Sequence, residues 1–255
     1  MAEGYRWNVV WVTGASSGIG RELATLLDHR AETVAVSARS GDLLCELAGQ
    51  CRHVAPFALD VSDEAEVAQG IARIEEAHGP IDLAVLNAAT WAIMEPGEID
   101  VAAIRRGMEV NYMGVVHALA ALVPRMRTRG RGHIAIVASI AGYRGLPRSA
   151  AYGPTKAALI NLAETLKIEL ARFGITVSVV NSGFVDTPMT RDNPFPMPSL
   201  MPVQDAARQL LAGLEQERYE IIFPRGFVYV LKLLRIMPNR LYFWCLRTFV
   251  MKRRR

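Results

Sequence analysis

The chain has 255 residues, 51% hydrophobic and 21% charged, which suits one α/β body with a large core and excludes a disordered chain, a collagen-like repeat and a disulfide mini-scaffold. Its net charge of +4 is unevenly spread: residues 218–255 hold ten basic side chains and one acid, Glu220, for +9, whereas the remainder, with nineteen basic and twenty-four acidic residues, stands at −5. A mildly acidic body joined to a basic, aromatic tail argues against a nucleic-acid protein, whose folded domain would itself carry a basic face.

Runs rich in Val and Ile alternate with stretches of helical periodicity along the chain. Strands are predicted at residues 8–13, 33–38, 53–59, 83–87, 133–139, 175–181 and 220–223. Helices are predicted at 19–30, 42–49, 63–77, 102–126, 152–173 and 203–216. Strand and helix in strict turn make a parallel sheet covered on both faces, a single-domain, doubly wound, seven-stranded Rossmann-like fold over 1–224, with ligands expected at the carboxyl ends of the strands. Residues 225–255 form a basic amphipathic extension. Between Thr187 and Pro202 lie five prolines together with Met189, Met197, Leu200 and Met201, features of a mobile lid rather than a plain connector.

The first predicted strand runs into Thr13-Gly14-Ala15-Ser16-Ser17-Gly18-Ile19-Gly20, and a helix pattern follows at once. Glycines there let backbone approach a pyrophosphate, and a helix N-terminus offers it unpaired N–H groups and a partial positive charge. The spacing is G-x-x-x-G-x-G, which departs from the G-x-G-x-x-G of the general dinucleotide fingerprint. After the second strand, where an NAD site would place an acid against the ribose 2′-OH, stands Arg39. A guanidinium could pair bidentately with a 2′-phosphate, which favours NADP(H) over NAD(H); the plain alternative is a solvated surface arginine. Arg21 could share that phosphate or only cover its own helix.

Tyr152 and Lys156 stand at i and i+4 on the start of a long helix, so their side chains leave one face. A phenol is a poor acid or base at neutral pH, and a neighbouring ammonium would lower its pKa. Pro154 between them is tolerated in a first turn. Cys45, Cys51 and Cys245 show no ligand spacing and the five histidines are scattered, so no disulfide framework and no metal is expected.

Taken together, the glycine cradle, Asn87, Asn111, Ser139 and the Tyr152/Lys156 pair resemble the short-chain dehydrogenase/reductase family over about residues 7–224. The resemblance implies a nicotinamide dinucleotide and hydride transfer between it and a carbonyl or secondary alcohol. It implies Tyr152 as proton donor, Lys156 as the group that lowers its pKa and binds the nicotinamide ribose, Ser139 as hydrogen-bond donor to the substrate oxygen, and Asn111 as holder of a relay water. It further implies cofactor contacts from Gly14, Ser16, Ser17, Gly18, Ile19, Gly20, Asp60, Val61, Asn87, Gly183, Val185 and Thr187, Asp60 and Val61 lying against adenine and Thr187 against the carboxamide. Two positions depart from the family pattern: Asn87-Ala88-Ala89 replaces Asn-Ala-Gly, and Ser182-Gly183 replaces Pro-Gly.

In the tail, Arg225, Lys232 and Arg235 fall on one helical face while Phe227, Val230, Leu231 and Leu234 face elsewhere; Pro238 ends that helix, and Lys252-Arg253-Arg254-Arg255 ends the chain. Such a tail suits either the surface of an anionic membrane or packing on a subunit. The lack of a signal-like start and of an apolar run of membrane-spanning length predicts a cytoplasmic protein, peripheral on a membrane at most. The expected activity is an NADP(H)-dependent oxidoreductase acting on a lipophilic carbonyl, a long-chain keto lipid first, in a homodimer or homotetramer. The alternatives are a non-catalytic dinucleotide-binding, membrane-associated protein and an NAD-dependent alcohol dehydrogenase.

Overall fold

The computed structural model describes residues 5–251, so Met1 to Gly4 and the terminal Lys252-Arg253-Arg254-Arg255 lie outside the described residues. Seven strands, β1 (Trp7–Thr13), β2 (Ala31–Ser37), β3 (Val54–Pro56), β4 (Leu83–Leu86), β5 (Gly132–Val137), β6 (Ile175–Ser182) and β7 (Glu220–Phe223), pair in the order 3-2-1-4-5-6-7, every pairing parallel. The sequence expectation of a doubly wound sheet is met. Both faces of the sheet are covered, so strands such as β4, Leu-Ala-Val-Leu, are buried at every position.

The helices are α1 (Gly18–Leu27), α2 (Gly41–Gln50), α3 (Glu64–His78), α4 (Val101–Met108), α5 (Gly114–Arg129), α6 (Gly153–Leu170), α7 (Val203–Glu215), α8 (Arg225–Ile236) and α9 (Asn239–Cys245). Leu23 of α1, Leu44 of α2 and Leu210 of α7 fill one core with Val10 and Val34. Ile71 of α3, Leu122 of α5 and Leu159 of α6 fill the other with Trp11 and Ile134. Trp11, fully buried, directs its indole N–H to Ser37 Oγ at 2.9 Å, so the largest core side chain carries no unpaired donor.

Three predicted elements differ. The strand expected over 53–59 pairs as a strand only through Val54–Pro56, since proline has no N–H for the ladder; two further bonds, Phe57 N to Val36 O of β2 and Leu59 N to Ala38 O just past its end, continue the contact irregularly. The helix expected over 102–126 is α4 and α5 joined by a π turn at Glu109–Met113. That turn sits where Asn111 is drawn inward and where Gly107 and Gly114 meet the Ala151 carbonyl and Val61, contacts a Cβ would block at 2.7 and 2.9 Å. The helix expected to begin at Tyr152 begins at Gly153, with Tyr152 as its N-cap.

The tail packs on the 1–224 body along one side. Pro238 does break it into α8 and α9, with a π turn at Leu246–Met251, but Val228 is fully buried in the core that holds α6, and Phe227 and Leu231 pack beside it. Lys232, expected on a solvent-facing basic stripe, instead turns inward to pair with Glu220 of β7. Glu220 also accepts from Tyr143 Oη at 2.7 Å and Asn181 Nδ2 at 2.9 Å, so one carboxylate ties α8 to β6 and to the segment after β5. Arg144 caps the end of α8: its Nη1 donates to the carbonyls of Leu234 (2.8 Å) and Met237 (2.7 Å), its Nη2 to Asn239 Oδ1 (2.5 Å), and its plane stacks 3.9 Å from the Tyr242 ring centroid. Buried Tyr242 then donates to the Gly145 carbonyl at 2.7 Å.

Arg144→Ala removes these bonds while leaving α8 carbonyls half-covered. With partial solvent exposure discounted, about 2 kcal/mol of stability should be lost in urea unfolding, with faster tryptic cleavage at Arg235 and Arg240; unchanged cleavage would refute the clamp.

Candidate active site

The order 3-2-1-4 reverses direction at β1, and the crevice that results lies beyond the ends of β1 and β4. Gly14 and Gly18 take left-handed φ values of +67° and +58°, conformations open to glycine. A Cβ on Gly14 would lie 2.7 Å from Ala88 Cα, and one on Gly20 would lie 2.5 Å from the Gly14 carbonyl. The cradle is therefore bare backbone by necessity. Asn87 stitches it to β4, donating from Nδ2 to the carbonyls of Thr13 (3.0 Å) and Gly14 (3.2 Å), while Thr13 Oγ1 accepts from the N–H groups of Asn87 and Ala88. Helix α1 starts above it with no side-chain cap on Ser17 and no acid in its first turn, which leaves its leading N–H groups available to an anion. Ser16 and Ile19 are half-exposed along the same turn. Thr187 closes the other side: its side chain would meet a Cβ on Gly18 at 3.2 Å. A cleft of about 320 Å³ opens there, lined by Gly18, Arg21, Asp186, Thr187, Arg191 and Val203 among others. Glycine turns, an uncapped helix start and an open cleft fit the diphosphate of a nicotinamide dinucleotide.

At the end of β2, Arg39 is exposed, and its guanidinium makes no hydrogen bond or ion pair among the described residues. Burial would raise the Asp60 carboxyl, but hydrogen bonds from Ser62 N and Oγ (2.9 and 2.7 Å), helped by the charge of Arg39, outweigh it and hold Asp60 below its ordinary value. Arg21 is committed elsewhere, to Glu46 at 2.7 Å and Gln50 at 3.2 Å, so it does not stand beside Arg39 as a free second cation. Val61 is buried against Gly114, and its carbonyl accepts from His117 Nδ1 at 3.0 Å, so its side chain serves the packing of α5.

The reactive groups gather further along the crevice. Ser139, at the end of β5, donates from Oγ to the Ser182 carbonyl at 3.2 Å and accepts from Ala141 N at 3.2 Å. The turn after it presses on α6 so tightly that a Cβ on Gly142 would lie 2.6 Å from the Lys156 backbone. Tyr152 is partly exposed, but protein crowding pushes its phenol up to about 12 against a hydrogen bond with Ser139 that pulls the other way. Lys156 is 1% exposed; its Nζ donates to the Val137 carbonyl at 2.8 Å and lies 5.4 Å from the Tyr152 ring centroid, and burial pushes it down to about 7. The expected acidified phenol is thus not what these protein groups by themselves produce. Desolvation dominates both groups, and an ammonium at that distance offsets only about 3 kcal/mol at an effective dielectric near 20, enough to return a phenol toward its ordinary value and no further.

Asn111, fully buried in the π turn, spends its side chain on protein: Oδ1 accepts from Thr90 N (2.7 Å), and Nδ2 donates to Thr90 O (3.0 Å) and Thr155 Oγ1 (3.1 Å), which donates to Tyr152 O at 2.7 Å. Both amide hydrogens are thereby engaged, and the chain of bonds runs through Thr155 to the Tyr152 carbonyl. Gly183 donates its N–H to Phe223 O, and Val185 bridges to Met201, closing the base of the 187–202 loop. The tip of that loop is held too, since Trp91 donates from its indole to Asn193 Oδ1 at 3.1 Å and meets Tyr152 edge-on at 4.8 Å. Sequence reasoning missed Thr13, Thr90, Thr155 and Trp91. Thr13 and Thr155 lie within segments already singled out, whereas Trp91 and Asn193 meet only through the fold.

The short chain dehydrogenase profile matches residues 8–195. The chain belongs to the short-chain dehydrogenase/reductase family. It is 33% identical over 235 residues to a Myxococcus xanthus protein named as an oxidoreductase, covering 91% of this chain and 93% of that one, and 31% identical to a Staphylococcus saprophyticus oxidoreductase, covering 82% and 91%. Among solved structures it is similar to a short-chain dehydrogenase from Streptomyces avermitilis (28% identity, TM-score 0.76, 87% and 88% of the two chains) and to one from Sphingobium yanoikuyae in complex with NADPH (26%, 0.77, 85% and 88%). It is an oxidoreductase of CH–OH and C=O groups that uses a nicotinamide dinucleotide.

The burial of Lys156 has a pH signature. Below about pH 7 both folded and unfolded chains hold its proton and the desolvation penalty is felt in full; between about 7 and the ordinary lysine value of 10.5 only the unfolded chain holds it, so stability rises with pH across that window. In ligand-free protein, the stability of Lys156→Met relative to the parent should therefore be greatest near pH 7 and shrink toward pH 10 in urea titrations; a difference independent of pH would refute the neutral, buried amine.

Proposed function

We propose that the chain reduces a lipophilic carbonyl with NADPH, and that Tyr152 gives the proton. The observation that carries this reading is the grouping of Ser139, Tyr152 and Lys156 along the crevice that begins at the bare glycine cradle. When bound, the nicotinamide supplies the hydride. Tyr152 Oη, which like any phenol carries its proton at neutral pH, stands where it would hand that proton to a carbonyl oxygen, the requirement of reduction; oxidation would need the phenolate. Ser139 would exchange its bond to Ser182 O for one to the substrate oxygen, and Lys156, charging as the site changes around it, would stabilise the phenolate left behind. Asn111 fixes the start of α6 through Thr155.

Gly14, Ser16, Ser17, Gly18, Ile19 and Gly20 would hold the diphosphate and Thr187 the nicotinamide end, with Asp60, Val61, Asn87, Gly183 and Val185 shaping the walls. Arg39, a free cation where an NAD site would carry an acid, supports NADP(H). The Met- and Pro-rich loop and the exposed apolar tail support a lipophilic substrate, a long-chain keto compound first, met by a cytoplasmic protein with peripheral membrane contact. Homodimers or homotetramers would bury the outer faces of α5 and α6, where Ile168 is 79% exposed.

Tyr152→Phe should lower ketone-dependent NADPH oxidation by about 10²- to 10⁴-fold with cofactor binding intact; full activity would refute the proton donor. In a separate experiment, Arg39→Asp should raise the KM for NADPH by roughly tenfold or more and spare that for NADH; equal effects on the two cofactors would reject a 2′-phosphate contact.

A further inference from the structure

Helices α8 and α9 are two-faced. Their inner face is committed, through Val228, Leu231, Lys232, Tyr242 and the Arg144 clamp. Their outer face is apolar and uncovered. Nine of the sixteen large hydrophobic side chains exposed among the described residues lie between Tyr229 and Val250, including Leu233 (63%), Ile236 (78%), Trp244 (56%) and Phe249 (64%). A concentration of this kind is unusual on a water-facing surface and marks a contact. Arg225 of α8, Arg240 of α9 and Arg247 in the π turn that follows are exposed beside that face, while Arg235 lays its guanidinium 5.7 Å from the Tyr143 ring centroid. No acid occurs anywhere from Ile221 to Arg255, and the sequence adds four more cations after Met251.

We infer that the outer face of α8 and α9, with Leu233, Ile236, Phe243 and Trp244 as its inserted side chains and Arg225, Arg240 and Arg247 beside them, docks on the surface of an anionic lipid bilayer. The charge decides between occupants. A second copy meeting this face symmetrically would set arginines against arginines with no carboxylate to separate them, whereas anionic headgroups match every cation on it. Neither helix is long enough to cross a bilayer, and no described helix meets that criterion, so the contact lies in the interfacial plane, apolar side chains in the acyl boundary and guanidinium groups among the phosphates. The inner contacts place this surface beside the substrate side of the crevice: Phe227 of α8 lies 6.1 Å from Phe184 at the base of the 187–202 loop, Phe184 lies 6.1 Å from Phe195 within it, and Arg144 follows Ser139 by five residues. A carbonyl lipid leaving the bilayer would therefore meet the loop directly. This inference deepens the lipophilic-substrate reading by naming the surface and its partner, and it stands apart from the hydride chemistry.

The test is flotation of the full chain with vesicles of phosphatidylcholine alone and with phosphatidylglycerol added. The parent should float with the anionic vesicles and stay behind with the neutral ones. Arg240→Glu/Arg247→Glu should bind the anionic vesicles tenfold or more weakly, taking each basic side chain near the surface as about fivefold. Leu233→Asp/Phe243→Asp should lose flotation as well, and both variants should still oxidise NADPH with a water-soluble ketone, a readout that tracks the chemistry alone. Quenching by bromine-labelled lipid of fluorescence present in the parent and absent from Trp244→Phe gives a second measure that needs no destabilising substitution. No flotation of the parent, flotation equal in parent and variants, or no quenching of Trp244 would each overturn the docking surface. So would a fall in oligomer mass on Leu233→Asp/Phe243→Asp without vesicle binding by the parent, which would assign the face to a second copy.

Discussion

A single buried amine organises the reactive end of this molecule. Lys156 has one protein acceptor, the Val137 carbonyl, and almost no contact with water, so its proton is held loosely and its charge is unusually sensitive to what stands nearby. The surrounding structure is built to tolerate that. Gly142 lets the turn after Ser139 press directly on the α6 backbone, and Asn111 and Thr155 fix the first turn of α6, so amine, phenol and hydroxyl are held by backbone packing rather than by ion pairs. With no carboxylate forcing either group into one charge state, both Lys156 and Tyr152 rest closer to neutral than they would in water.

Much of this was legible in the sequence because it depends on local pattern. The all-parallel order follows from the regular alternation of Val- and Ile-rich runs with helical stretches, and the cradle from glycines spaced by three and one around a strand end. Tyr152 and Lys156 declared themselves by separation along one helix face. What stayed hidden depends on the environment a residue finds after folding. Spacing places an ammonium near the phenol but says nothing of desolvation, which is larger and opposite in its effect on Tyr152. Spacing likewise leaves Lys232 on a basic stripe, whereas the fold brings Glu220 beneath it.

The same reasoning explains the tail. Hydrophobic periodicity identified α8 and the break at Pro238, yet an amphipathic pattern has one apolar face and α8 has two, divided between Phe227, Val228 and Leu231 within and Tyr229, Leu233 and Ile236 without. Only the partners supplied by Tyr143, Arg144 and Glu220 tell them apart. Those partners lie on the segment after Ser139 and on the last strand, so the extension shares its anchors with the catalytic end of the sheet.

The crowding of Gly14, Gly20, Ala88 and Asn87 has a consequence for the first moments of cofactor capture. The end of β1, the start of α1 and the end of β4 meet there through the Gly14 backbone and the Asn87 side chain, so the shape of the hollow is set by contacts within the fold. An incoming dinucleotide then gives up its own freedom and little of the protein's, and tight capture can rest on few contacts because the host half of the ordering was completed when the chain folded.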